Sequence, residues 1–325
     1  STGVAAQQWK EQVKLWTTLP EEYIYTFVSG SKWTFRTKPK VIIATYSMLA
    51  FEQQRAPDAQ SIMDVITTQE WGLVLLDEVH VAPADKFKKC ITVTHSRCKL
   101  GLTATLVRED DKVNSLIEMI GPKLYEASWL DLSRQGFIAT VRCYEVCCPM
   151  TPQFYAKLLE TNQHYLCRML YVINPNKFQA MQMLMIFHES RGDKIMIFCE
   201  DTLAIKLFSQ KLRRPYLDGS TKEQDRLIIL REFSSAPGGS SVFISKIGDN
   251  SIDLPDTNVI IQISSHYASR RQEAQRLGRI LRPKSQRSGA VDAHFYTLVS
   301  QDTKEMLYAT KRQRFLVNQG YAYKV

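Results

Sequence analysis

The 325-residue sequence lacks the features typical of secreted, membrane-spanning or zinc-binding proteins. Its seven cysteines are odd in number and include no C-x-x-C pair, so they predict neither a disulfide framework nor a zinc site. No uninterrupted apolar run reaches the length that a bilayer-spanning helix needs, and no leader of charged, apolar and small residues opens the sequence. We therefore expect a reducing, intracellular compartment and no membrane partner.

Positive charge is concentrated in the second half of the chain. Residues 1–150 carry 17 Lys and Arg against 17 Asp and Glu, whereas residues 151–325 carry 25 against 16. The segment Arg270–Arg314 alone has eleven positive and four negative side chains. Such a region attracts polyanions, because neutralising phosphates releases counterions. The charge pattern thus indicates a polyanion partner; the alternative is a basic domain whose charge serves only solubility.

Apolar runs that end in polar residues indicate parallel strands. Trp71–Leu76 runs into Asp77, and Lys99–Thr103 repeats this arrangement. Parallel sheets of α/β proteins are buried on both faces and bind ligands along their carboxyl edge. Beyond Phe178, helical and apolar extended segments alternate again. With its length, this alternation predicts an α/β protein of two domains with parallel sheets.

Two adjacent carboxylates follow the strand Trp71–Leu76. Asp77 can hold Mg²⁺ directly or through water, while Glu78 can orient a water molecule toward a phosphate. Phosphoryl transfer also needs positive charge on the transition state, often from an arginine of another domain. An acidic pair after a strand is common, so this pattern alone is weak evidence for a site.

An arginine-rich segment, Ser269–Lys284, has a helical pattern. One predicted face carries five polar side chains, Gln272, Gln275, Arg276, Arg279 and Arg282. The opposite face carries Ala274, Leu277 and Leu281, which predicts a core contact. Glycine costs about 1 kcal/mol inside a helix, so Gly278 indicates a close approach to the backbone. The alternative is a solvated basic face without a site.

Four segments resemble motifs II, III, V and VI of superfamily 2 helicases, in this order: LLDEVH, LGLTATLVRED, IGDNSIDLP and QEAQRLGRILRPK. The phrases IQISSHYASRRQEAQRLGRILR and SQDTKEMLYATKRQRFLVNQGY are similar to the xeroderma pigmentosum group B family of that superfamily. The resemblance covers nearly the whole chain and implies two RecA-like helicase domains. It places helicase domain 1, in part, at residues 1–148, a thumb-like helical insertion at 149–176 and helicase domain 2 at 177–325.

The resemblance implies ATP and Mg²⁺ as cofactors and assigns residues on the nucleotide side. Asp77 would hold Mg²⁺, Glu78 would activate the water, and His80 would link the ATP site to motif III. The remaining nucleotide-side positions are the coupling residues Thr103 and Thr105, the motif V residues Gly248 and Asp253, and the motif VI residues Gln275, Arg279 and Arg282, of which the two arginines would be arginine fingers. For His80 the alternative is a histidine that only completes a turn.

The resemblance also assigns a DNA side. Its positions are Thr45 in TYSML, the triplet Arg108, Glu109 and Asp110, Gly219 and Arg226 in DGSTKEQDR, and Ser245 in motif V. The triplet matches a motif that the family links to duplex opening. The alternative for the triplet is a solvated run of charges.

The sequence departs from the family pattern in one respect. No G-x-x-x-x-G-K-[ST] phosphate loop occurs in it. Helicases of this kind carry that loop before the segment that matches the start of this chain, so we expect the chain to be a fragment and to hydrolyse no ATP alone.

For function, the resemblance implies an ATP-dependent 3′–5′ helicase and double-stranded DNA translocase that acts in nucleotide excision repair and transcription initiation. Family members belong to transcription factor IIH, which implies its other subunits and repair factors as partners, and the nucleus as location. Two alternatives are a non-catalytic DNA-binding scaffold and an RNA helicase of the same superfamily. The acid pair and the arginines argue against the first, and the absence of an RNA-binding module against the second.

Overall fold

A computed structural model of the chain describes residues 3–30, 37–79, 84–103, 113–236, 238–245, 257–264, 276–278, 293–318 and 321–325. The chain divides into two compact units, Ser1–Glu126 and Ala127–Val325. Each unit has its own strands and its own apolar clusters. The prediction of two α/β domains with parallel sheets is confirmed.

The described part of unit 1 alternates helices and short strands. In chain order its elements are α1 (Gly3–Trp16), a 3-10 turn (Glu21–Tyr23), β1 (Ile24–Phe27), β2 (Val41–Ala44), α2 (Tyr46–Leu49), α3 (Pro57–Thr68), β3 (Trp71–Asp77), α4 (Ala84–Val93), β4 (Ser96–Leu102) and α5 (Val113–Ile120). Helix α3 begins with a proline, which is favourable in the first turn because that amide has no helical acceptor.

The strands of unit 1 form two parallel pairs, β1 with β2 and β3 with β4. The sequence predicted one sheet for this half; apolar runs predict strands, but they do not specify which strands pair. Helix α3 covers the first pair through a cluster that includes Phe27 and Ile62, both fully buried. A second cluster around Leu76 and Val79 lies at the end of β3, so the carboxyl end of this strand is anchored in apolar contacts.

Unit 2 contains the larger sheet. Its elements are α6 (Trp129–Arg134), β5 (Val141–Cys148), α7 (Pro152–Glu160), α8 (His164–Val172), α9 (Pro175–Ser190), β6 (Lys194–Phe198), α10 (Thr202–Leu212), β7 (Tyr216–Leu217), α11 (Glu223–Ser235), β8 (Ser240–Ile244), β9 (Val259–Gln262), β10 (Ala293–Ser300), α12 (Glu305–Asn318) and β11 (Ala322–Lys324). Among the described residues the seven strands are all parallel, in the order β11-β5-β10-β9-β6-β8-β7.

The unit 2 sheet is buried on both faces, as its apolar strands predict. Along β6, Met196 and Phe198 pack in one apolar cluster, while Ile195 and Ile197 pack in the other. Successive side chains of a strand point to opposite faces, so β6 supplies both cores. The carboxyl ends of these strands lie along one edge, where the sequence analysis expects the functional residues.

The boundary between the units differs from the prediction. The family resemblance places the end of the first domain at residue 148, whereas unit 1 ends at Glu126. Strand β5 pairs along its whole length with β10, from Val141 opposite Ala293 to Cys148 opposite Ser300, and so belongs to unit 2. The partner lies far away in the sequence, which is why local patterns missed it.

Two helices occupy the predicted helical insertion at residues 149–176. They are α7 and α8, and the end of α8 places Val172, 1% exposed, in the core of unit 2 beside Ile195. Both segments are helical, and the assignment of a thumb-like insertion stays a prediction. The same contact makes the pair an integral part of unit 2.

Candidate functional site

Strand β3 delivers a carboxylate to its carboxyl end. Asp77 is the last residue of β3 and lies opposite Leu102 of β4. Its Oδ2 accepts a hydrogen bond from the indole N–H of Trp9 on α1, at 3.0 Å. Its main-chain oxygen accepts a hydrogen bond from the hydroxyl of Tyr46 on α2, at 2.7 Å. Two separate helices therefore fix the position of this acidic residue.

Glu78 turns out of the line of the strand. Its φ of 51° lies in the left-handed region, which is uncommon for a residue with a side chain. The turn that follows β3 stays attached to the end of β4, since the amide of Val79 donates to the oxygen of Leu102 at 3.2 Å. Thr103 follows Leu102 at the same edge. Unit 1 thus brings together three predicted residues, Asp77, Glu78 and Thr103, as two adjacent parallel strands require.

The start of α2 lies beside the carboxyl end of β3, where Tyr46 contacts Asp77. Thr45 caps the helix: its side chain accepts from the amide of Met48 at 3.4 Å, and the residue is only 5% exposed. Burial and the nearby Asp77 carboxylate raise the pKa of the Tyr46 phenol, which keeps it protonated as a donor. Burial also raises the pKa of Cys90 to about 11, so its thiol stays neutral against the oxygen of Tyr46.

The donor set at Asp77 fits a magnesium ion. The Trp9 contact uses one carboxylate oxygen, and Oδ1 accepts no hydrogen bond from the described residues. Mg²⁺ prefers oxygen ligands and is commonly held by one or two carboxylates, with water and phosphate oxygens completing the shell. Within the described ranges no group of three or more His, Cys, Asp or Glu gathers to form a protein-only metal cage. This arrangement agrees with a metal that arrives with a phosphate ligand.

In unit 2, three predicted residues meet where β7 and β8 end. Ser245 follows β8, and its amide donates to the oxygen of Leu217, the last residue of β7, at 2.9 Å. Gly219 lies in the turn after β7 and is exposed. Arg226 of α11 donates to the oxygen of Thr221 in the same turn, at 3.3 Å. The predicted DNA residues of this unit therefore form one edge.

Asp218 organises that turn. Its Oδ1 accepts from the amide and the hydroxyl of Ser220, at 2.9 and 2.7 Å, and from the hydroxyl of Thr221, at 3.2 Å. The hydrogen bond from Ser220 lowers the pKa of Asp218, which is 2% exposed and stays ionised. The turn DGST is thus pre-formed, and it presents Gly219 outward.

The predicted arginine helix is described only at residues 276–278. Arg276 is 1% exposed; its guanidinium lies 3.4 Å from a carboxylate oxygen of Glu200 and 4.8 Å from the ring centre of Phe198. The helical spacing places Arg276 on the polar face opposite the core contact; in the structure it forms an ion pair inside unit 2, so at this position the alternative of a solvated basic face does not hold. Leu277 is fully buried, as predicted.

Among the described residues, Gly278 has no close neighbour, and the predicted close approach to its backbone stays a prediction. It is exposed, and a Cβ built on it would meet no atom of the described residues within 4 Å. The other predicted positions lie outside the described residues and stay predictions: His80, Thr105, Arg108, Glu109, Asp110, Gly248, Asp253, Gln275, Arg279 and Arg282.

Sequence reasoning missed the residues that hold the site in place. Trp9 lies 68 positions before Asp77, and Glu200 lies 76 positions before Arg276. Neither belongs to a quoted motif. The available signal was weak: an indole N–H is a donor that seeks a partner when part-buried, and an acid directly after a buried strand is well placed for an ion pair.

Solved structures with a similar fold are helicases. The helicase domain of Hef from Pyrococcus furiosus matches with a TM-score of 0.58 and 14% identity, over 95% of this chain and 87% of that one. Dbp5 from S. cerevisiae, bound to RNA and ADP BeF3, matches with a TM-score of 0.65 and 15% identity, over 100% and 75%. The two parallel-sheet units therefore have a RecA-like fold.

Sequence comparison identifies the family. The model of the ERCC3/RAD25/XPB C-terminal helicase matches residues 132–325, and the model of the Type III restriction enzyme, res subunit, matches residues 5–108. A similar protein is the "General transcription and DNA repair factor IIH helicase/translocase subunit XPB" of Dictyostelium discoideum, 52% identical over 325 residues. Its Saccharomyces cerevisiae counterpart, XPB/SSL2, is 50% identical over 326 residues. The chain belongs to the ERCC3/RAD25/XPB helicase family, and the predicted resemblance is confirmed.

The chain spans about two fifths of the length of these relatives. All of it aligns, but it covers 41% of the Dictyostelium protein and 38% of the yeast one. In the part of the chain that the structure describes, no helix is long and apolar enough to cross a membrane.

Proposed function

We propose that this chain forms the ATP-hydrolysing helicase domains of a double-stranded DNA translocase that opens DNA in transcription and repair. Family membership supports the class of activity. The single observation that carries the proposal is the acid pair at the end of β3, where Trp9 and Tyr46 hold Asp77 and the backbone of Glu78 turns outward. Adjacent carboxylates in fixed, different orientations can divide two tasks between them.

The division of labour follows from the geometry. Asp77 would hold Mg²⁺ through its free oxygen, and the ion would neutralise phosphate charge when ATP is bound. Glu78 would accept a hydrogen bond from the attacking water and orient it toward the terminal phosphate. Trp9 holds the carboxylate of Asp77 and Tyr46 holds its main-chain oxygen, so the position of the first acid is fixed independently of the second. Arg279 and Arg282 would supply the positive charge that the transition state needs.

The edge formed by β7 and β8 would contact the DNA backbone. Gly219 offers an accessible main-chain amide in a turn that Asp218 has already ordered, and Arg226 adds a guanidinium beside it. Such contacts are independent of sequence, as a translocase requires. In unit 1, Thr45 would act through the helix start that it caps, and the triplet Arg108 to Asp110 would act at the duplex. The excess of positive charge in the second half of the chain supports this side of the proposal.

Relatives of this chain are named as subunits of general transcription and DNA repair factor IIH. We infer the same assembly for this protein, with the other subunits and repair factors as partners and the nucleus as its location. We also infer 3′–5′ movement, as the family resemblance implies.

ATPase measurements test the proposal. We expect the 325-residue chain alone to lack helicase-like turnover, because no phosphate loop is present to hold the β- and γ-phosphates. The full-length gene product should hydrolyse ATP, with stronger stimulation by duplex DNA than by single-stranded DNA or RNA. Stimulation by RNA alone would favour an RNA helicase, and a full-length protein without ATPase activity would favour a scaffold; either result would refute the proposal.

A further inference from the structure

A cleft of about 290 Å³ lies in unit 2, away from the residues discussed above. Its walls come from the ends of α7 and α8 and from the start of α12. Leu158, Tyr171 and Val172 supply apolar surface, and Arg168 and Lys304 supply two positive charges. Lys304 and Glu305 lie in the family phrase SQDTKEMLYATKRQRFLVNQGY, but no proposed catalytic or DNA-contacting residue falls in the cleft, so the proposed function assigns it no role.

The cations of the cleft are not neutralised from within. Arg168 has a buried Nε without a hydrogen-bond partner among the described residues. No carboxylate in the described ranges forms an ion pair with Arg168 or Lys304. The one acid in the wall, Glu305, is already engaged: its Oε2 lies 2.6 Å from Nζ of the fully buried Lys177 and accepts the amide of Ser300 at 2.9 Å. The cleft therefore keeps an uncompensated positive charge.

An anion would satisfy this arrangement. A guanidinium presents a rigid fork of donors that matches a carboxylate or a phosphate, and a buried donor without a partner costs free energy until a ligand supplies an acceptor. Polar wall residues such as Asn162 and His164 can add hydrogen bonds. The ligand must also cover the apolar surface of Leu158 and Val172.

The lining of the cleft decides between two sources of anion. Its volume of about 290 Å³ lies at the lower end of the range for small-molecule pockets, and its walls combine cations with apolar side chains. A duplex backbone presents its phosphates on a convex surface, with only deoxyribose carbons beside them and no apolar side chain. A carboxylate next to an apolar side chain, both on one short peptide segment, meets both requirements.

We propose that this cleft binds an acidic segment of a partner protein, with a carboxylate between Arg168 and Lys304 and a neighbouring apolar side chain against Leu158 and Val172. The site is independent of ATP hydrolysis. It would serve to dock the partner on unit 2.

Binding of a labelled peptide to the complete 325-residue chain tests the inference. The probe is a short fluorescein-labelled peptide with two glutamates followed by a leucine and a phenylalanine; its partner probe has glutamines in place of the glutamates. We expect the acidic peptide to bind at least about tenfold more tightly than the neutral one, since a charge-assisted hydrogen bond is lost with the carboxylate. Equal binding of the two peptides would overturn the proposal.

Matched variants locate the site. Arg168→Gln and Lys304→Gln should each weaken acidic-peptide binding several-fold. Lys157→Gln, which removes the same charge from an exposed lysine of α7 paired with Glu160, should leave it unchanged. Lys304 is exposed, so its variant tests the site even if Arg168→Gln lowers the melting temperature. Equal losses in all three variants would overturn the proposal, as would a loss of duplex DNA binding without any loss of peptide binding.

Discussion

Removal of the Arg276 guanidinium should destabilise unit 2 far more than removal of a surface arginine. Arg276→Met keeps the apolar stem and deletes the charge. The wild-type guanidinium, 1% exposed, lies 3.4 Å from Glu200 and over the ring of Phe198. The variant leaves the Glu200 carboxylate, whose side chain is 7% exposed, without this partner in a site that water hardly reaches.

The size of the effect follows from the burial. Breaking a buried ion pair from one side costs about 3–5 kcal/mol, because the remaining charge stays desolvated. The cation–π contact with Phe198 adds about 1 kcal/mol. The long separation of 3.4 Å favours the lower end of the range for the pair. We therefore expect a loss of roughly 3–4 kcal/mol for Arg276→Met, and we expect Arg276→Met with Glu200→Leu to recover most of it, since no buried charge remains.

Urea unfolding followed by circular dichroism measures these free energies. The control is Arg134→Met, whose side chain is 77% exposed and contacts Asp131 only at 3.8 Å; its loss should stay below about 0.5 kcal/mol. The reasoning fails if Arg276→Met costs no more than the control. It also fails if the double variant is as unstable as the single one, because the penalty would then not come from the Glu200 carboxylate that loses its contact with Arg276.

Three further predictions concern the site and the fold. Glu78→Gln in the full-length protein should keep ATP affinity and lower kcat, because only the orientation of the attacking water is lost; a parallel fall in affinity, measured by nucleotide titration, would contradict its role. Lys177→Met should lower the free energy of unfolding in urea by about 3–5 kcal/mol, because the Glu305 carboxylate loses its buried ion-pair partner. Replacing both residues by apolar ones should recover most of this loss; a double variant whose loss equals the sum of the two single losses would refute this coupling. Burial and the nearby His188 hold the pKa of His294 at about 4, below its usual value of about 6.5. The folded state therefore favours the neutral ring, and its stability is highest above pH 6.5. As the pH falls from 6.5 toward 4, this contribution to the free energy of unfolding is lost by at most about 1.4 kcal/mol per pH unit. Melting curves of wild type and His294→Phe should converge over that interval, and a difference that does not change with pH would refute the assignment.

The motifs of this chain were readable because they are local. An apolar run that ends in Asp77 and Glu78 predicts a buried strand with carboxylates at its carboxyl edge, and β3 ends at Asp77. The same reasoning placed Thr103 beside this pair, because neighbouring parallel strands end at one edge. Ser245 and Gly219 were assigned by the family resemblance, and in unit 2 both follow the ends of neighbouring strands, β8 and β7.

Local sequence patterns did not predict structural features that depend on a residue or strand far away in the sequence. Helical periodicity placed Arg276 on a polar face opposite the core contact, but Glu200, just after β6, pairs with its guanidinium inside unit 2. The unit boundary moved from residue 148 to Glu126 because β5 pairs with β10, which no pattern near β5 reveals.

The sequence by itself determined the α/β class, the family and the positions of the carboxylates and basic residues, because backbone periodicity and residue chemistry act over a few neighbouring positions. The tertiary structure decided which strands pair, that Trp9 and Tyr46 hold Asp77, and that Arg168 and Lys304 share one cleft. Those outcomes depend on contacts between residues far apart in the chain. Their energies arise only after folding has removed both partners from water, so one segment of sequence cannot specify them.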